Sequence, residues 1–149
     1  MRSVALSKLY VANIDDVQWH RHNADEIAGG ASPDLRYCFL VDSSIHASHG
    51  LSLGCLILPV GAELPPHSHE PQEAYFIKKG QGQLHLPDGS MRQVRENDAI
   101  YIPAGERHGL VNDGDNELEL IWIFPTDSFA DVTYHYEDRR AKAKDETDA

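Results

Sequence analysis

His67, His69 and Glu73 stand between Gly61 and Gly80 in the order G-x5-H-x-H-x3-E-x6-G, and Pro103, Gly105, His108 and Asn112 follow as P-x-G-x2-H-x3-N. Three imidazoles and one carboxylate are a ligand set for a single divalent transition ion, suited to Fe, Zn, Mn, Ni, Co or Cu. Such an ion can act as a Lewis acid, generate hydroxide or bind oxygen. If His67 and His69 lie on a strand, their side chains share a face at ~7 Å separation along the backbone, as two ligands of one ion require. The same parity turns Tyr75 and Ile77 to the inner side with Glu73, and aligns Leu110 and Asn112 with His108.

These residues need strands to carry them, and the chain supplies the pattern. From Leu35 onward, short apolar runs alternate with turn residues. YCFLVD, LSLGCLIL, EAYFIK, GQLHL, MRQV, AIYIP, HGLVN and LELIWIF are the predicted strands. LPVGAELPP, KKGQG, PDGS, RENDA, AGER and NDGDNE are their connections, rich in Gly, Pro, Asn and Asp. In the last strand Glu117 and Glu119 take the solvent face, while Leu118, Leu120 and Trp122 take the core. The expectation is an all-β domain over 35–136, an N-terminal arm over 1–34 with a short strand or helical turn, and a charged, mobile tail over 137–149.

With 149 residues, 41% of them hydrophobic and 25% charged, the composition is that of one globular domain. A net charge of −11 disfavours nucleic acid phosphates and anionic lipid as partners, leaving a small molecule. No apolar run approaches the ~18 residues that a membrane span needs, and no signal peptide is read at the start, so the expected location is the cytoplasm. Cys38 and Cys55 lie in apolar runs and are read as small packed hydrophobes.

The two phrases resemble the signature motifs of the cupin superfamily, over about residues 50 to 125. The resemblance implies a single-domain double-stranded β-helix, or jelly-roll barrel. It also implies a metal held by His67, His69, Glu73 and His108. At Asn97 the second motif usually has Gly; Asn tolerates the left-handed turn conformation. Pairing into a homodimer, with the N-terminal arm covering a sheet edge, is a further implication.

A narrower likeness connects GLSLG, the tyrosine two residues after the Glu ligand, and WIFPTDSFADVTY to the small cupin lyases that cleave dimethylsulfoniopropionate into dimethyl sulfide and acrylate. That likeness implies Tyr75 as general base in a β-elimination and Tyr134 as a second tyrosine of the pocket. It departs at Ser68, where a larger polar aromatic is expected. At ~5 Å from a divalent charge and an effective dielectric of ~20, Coulomb's law favours the phenolate of Tyr75 by about 6 kcal/mol before screening. The alternative is a barrel-lining tyrosine with a satisfied hydroxyl. Trp122 and Tyr101 are candidates to face a cationic leaving group, with core packing as the alternative for both, and His85 is a candidate pocket residue. The same family also holds polyketide cyclases, Fe(II) dioxygenases, isomerases and non-catalytic ligand binders.

Overall fold

The computed structural model describes residues 7–21 and 31–136. Within them run β1 (Trp19–Arg21), β2 (Arg36–Val41), β3 (Ser52–Leu58), β4 (Glu63–Ser68), β5 (Glu73–Lys79), β6 (Gln81–His85), β7 (Met91–Arg95), β8 (Ala99–Ile102), β9 (His108–Val111), β10 (Leu118–Phe124) and β11 (His135–Tyr136). A single short 3-10 turn at Phe129–Asp131 is the helical element among the described residues. Two antiparallel sheets result, ordered β1-β2-β3-β10-β5-β8 and β11-β4-β9-β6-β7. Their inner faces enclose the core, the arrangement of a jelly roll.

Alternation builds the core as expected. On β10, Leu118, Leu120, Trp122 and Phe124 are buried while Glu119, Ile121 and Ile123 lie between. On β5, Glu73, Tyr75 and Ile77 are buried and Phe76 is exposed. Each fully buried Leu, Ile or Phe removes enough apolar surface to contribute about 1.5–3 kcal/mol. Gly80, the last glycine of the first motif, turns the chain at φ +85°, and a Cβ there would meet the Glu117 carbonyl oxygen at 2.5 Å. Asn97 stands at φ +74° in the turn between β7 and β8, the left-handed conformation expected of the residue replacing Gly.

One expectation needs correction. All eight predicted strands are present, but the segment read as a connection before His67 is itself the strand β4, prolines included. Its pairing with β9 is irregular between Leu64 and His67, where Pro65 and Pro66 have no N–H to give. The N-terminal arm, in its described part, donates β1 to its own sheet by pairing with β2. The tail 137–149 lies outside the described residues. Cys38 and Cys55 are directly opposed on β2 and β3, both buried and free. Ile14, Val17 and Trp19 pack over them from outside. The hydrogen bond that the Cys55 thiol gives Cys38 and its burial together push it far above its usual range, which keeps it inert.

Candidate metal centre

His67 lies near the end of β4, and His108 opens β9 as its direct cross-strand partner. His69 follows two residues on, past the strand end, and Glu73 opens β5 in the opposite sheet. The candidate centre therefore bridges the two layers of the barrel. His67, His69, Glu73 and His108 are 1%, 1%, 2% and 3% exposed. The three imidazoles bring one nitrogen each to within 4.8 Å of one another.

Backbone carbonyls orient all three rings. Nδ1 of His67 lies 2.9 Å from the Pro65 oxygen, Nδ1 of His69 2.8 Å from the Pro71 oxygen, and Nδ1 of His108 2.9 Å from the Glu106 oxygen. A carbonyl only accepts, so each Nδ1 carries the proton, and in the neutral ring each Nε2 keeps its lone pair. Glu73 Oε1 lies 3.1 Å from His69 Nε2 and 3.3 Å from His108 Nε2. Acceptor thus faces acceptor in a buried space, an arrangement that repels unless a cation stands among the atoms. The donor set and its orientation fit a divalent transition ion held by three His and one Glu.

Of the four, Glu73 lines a cavity of about 30 Å³, together with Tyr37, Leu56, Leu64, Tyr75, Leu120, Trp122, Phe129 and Tyr134. Tyr75 is buried beside Glu73. Burial first, then the carboxylate's charge and the hydrogen bond that the phenol gives it, hold Tyr75 well above the usual tyrosine range. Tyr134 stacks on His67, ring centroids 4.6 Å apart and planes 6° from parallel. The structure thus brings Tyr75, Tyr134 and Trp122 to the cavity with Glu73, and Tyr134 also onto His67.

Tyr101 and His85 are not brought there, which corrects their assignment to the pocket. Tyr101 is 67% exposed and donates its hydroxyl to Gln72 Oε1 at 2.6 Å. On β8 it is Ile102 that turns inward, so Tyr101 must point out. His85 follows the buried Leu84 on β6 and takes the opposite face, its Nε2 3.4 Å from Glu63 Oε1.

Tyr37, Leu56, Leu64 and Phe129 line the cavity without having been singled out in the sequence. Strand parity carries signal for Leu56 on β3, flanked by other buried residues. Phe129 had none, because a second buried cluster places it. Asp42, 1% exposed, accepts from the Phe129 amide at 2.8 Å, the Ser128 hydroxyl at 2.9 Å and the Ser44 amide at 2.9 Å. Ser128 and Asp131 complete a capping box on the 3-10 turn that presents Phe129. Burial works to raise the Asp42 carboxyl, yet the donors from Phe129, Ser44 and Ser128 prevail and hold it below its ordinary value.

Residues 54–124 match the family described as the cupin domain. The chain is 28% identical to dimethylsulfoniopropionate lyase DddQ of Ruegeria pomeroyi over 72 residues, which are 48% of this chain and 36% of that protein. It is 32% identical to an oxalate-binding protein of Thermotoga maritima over 67 residues, 44% of this chain and 54% of the relative. The chain therefore spans only about a third to a half of the length of these curated relatives. Among solved structures, the polyketide cyclase RemF of Streptomyces resistomycificus superposes with a TM-score of 0.71 at 23% identity, covering 87% of this chain and 85% of that one. That likeness is one of fold.

Proposed function

We propose, on the premise that this chain carries a cupin domain, that it is a metal-dependent lyase performing β-elimination on a small carboxylate of the dimethylsulfoniopropionate kind. One observation carries the reading: a tyrosine, Tyr75, is buried against a carboxylate of the candidate metal cluster at the end of a cavity sized for a few atoms. The partial match to DddQ supports it. His67, His69, Glu73 and His108 would hold the ion, one of Fe, Zn, Mn, Ni or Co. When bound, a divalent ion supplies positive charge beside Glu73, which offsets that carboxylate's pull on Tyr75 and attracts a substrate carboxylate.

The chain's own groups do the rest. With its own proton passed to Glu73, Tyr75 Oη as phenolate takes the proton from the substrate α-carbon; the electron pair left behind forms the double bond to the β-carbon, and the bond to the leaving group breaks with its pair. Tyr134, fixed flat on His67, forms a wall beside the reacting atoms. Leu56, Leu64 and Leu120 exclude water from the opposite side.

Metal analysis followed by incubation with dimethylsulfoniopropionate and related carboxylates, with detection of acrylate, tests the reading. Tyr75→Phe should keep the metal and lose turnover by about 100-fold or more, whereas His67→Ala should lose both. Normal turnover by the phenylalanine variant would remove Tyr75 from the chemistry. The match to an oxalate-binding protein favours a second reading, a cupin that binds a small carboxylate without converting it. Saturable binding with no unsaturated product would select that one.

A further inference from the structure

We infer that Trp122 is a second polar anchor for the ligand, its indole Nε1–H donating to an oxygen of the bound carboxylate. The inference rests on the reading of the cavity as a site for small carboxylates and adds a specificity-determining residue to it.

Trp122 sits at the middle of β10, in register with Tyr75 on β5 and with Gly54 on β3. Its six-membered ring lies directly on Gly54, where a Cβ would collide with Cζ2 and Cη2. Position 54 therefore requires Gly, and the indole is held in one place. The rings of Phe129 and Tyr37 stand 5.6 Å and 6.4 Å from it. The residue is 4% exposed and lines the cavity, yet its Nε1–H is buried and has no acceptor among the described residues.

A buried donor left without an acceptor costs about 1–3 kcal/mol. Phenylalanine would fill the place without that cost, as Phe124 fills a buried place two residues later on the same strand face. Glu73, the cavity's own carboxylate, already accepts from the Tyr75 hydroxyl and faces the imidazoles. A ligand oxygen is then the group that answers the indole. A carboxylate answers it best, because an ionised acceptor makes the stronger bond and has lone pairs to spare when one oxygen is held elsewhere.

The chain has two tryptophans, and Trp19 packs outside the barrel over the cysteines. In a Trp19→Phe background the single indole N–H resonance in a proton–nitrogen correlation spectrum reports Trp122 alone. Titration with acrylate and with propionate, each with and without zinc, should move that resonance downfield saturably. Trp122→Phe should raise the Kd for acrylate by roughly 10- to 100-fold while zinc affinity, measured by calorimetry on the same samples, stays within about twofold. Zinc uptake without an indole shift would overturn the anchor and leave the metal centre standing. An indole shift without zinc uptake would keep the anchor and remove the metal from the proposed function. Equal acrylate affinity in Trp122→Phe and the parent would overturn the anchor as well.

Discussion

Two buried polar clusters lie in this barrel, and they satisfy their atoms in opposite ways. Around Asp42 every near neighbour is a donor: two backbone amides and a serine hydroxyl converge on one carboxylate. Around Glu73 one donor, the Tyr75 hydroxyl, is joined by imidazoles whose Nδ1 protons are already spent on carbonyls. The first cluster is complete as the chain folds and positions Phe129 at the cavity. The second leaves lone pairs facing one another and is completed only by something added. Burial alone does not separate them, since both carboxylates are almost wholly enclosed. What separates a structural cluster from a site is whether donors and acceptors balance without a ligand.

The contrast predicts different responses to substitution and to metal. Zinc at about 1,000 times its Kd should stabilise the parent against unfolding by about 4 kcal/mol and leave His69→Ala unaffected, as read by thermal denaturation with and without the ion. Equal stabilisation of both proteins would place the ion elsewhere. Asp42→Ala should cost about 2–3 kcal/mol with or without zinc, because it strands buried donors. In chemical denaturation, a cost that disappears on adding zinc would join the two clusters into one unit and break the comparison.

The pH dependence sharpens it further. The carboxyl of Asp42 is held below its unfolded value, so its contribution is fully present above the ordinary carboxylate pKa of 3.8 and is lost as pH falls through the lowered folded value. In metal-free protein, the stability difference between the parent and Asp42→Asn should shrink progressively below about pH 4. A difference that grew on acidification would reverse the assigned sign. The smallest effect is expected far from both clusters. Asn97→Gly, at φ +74°, should change stability by less than about 1 kcal/mol and leave metal uptake unchanged.

The grouping of His67, His69 and His108 was legible because its signal is local: parity puts His67 and His69 on one face and Glu73 with Tyr75 on another, and the barrel only had to bring the strands together. The same alternation located all eight expected strands. It failed at β4, where Pro65 and Pro66 read as a break although an irregular ladder accommodates them. It did not fix the direction of Tyr101, which the burial of Ile102 beside it on β8 turns to solvent. The Asp42 clamp was not legible at all. Two of its three partners lie 86 and 87 residues away in sequence, and neither periodicity nor spacing connects a strand-end aspartate to a distant turn.

Cobalt titration of the apoprotein, followed by the visible spectrum and by calorimetry, asks whether the buried imidazoles hold an ion. One ion per chain should bind, with imidazole coordination in the spectrum and uptake abolished in His67→Ala, His69→Ala and His108→Ala alike. Absence of uptake, or uptake that survives those substitutions, would contradict it.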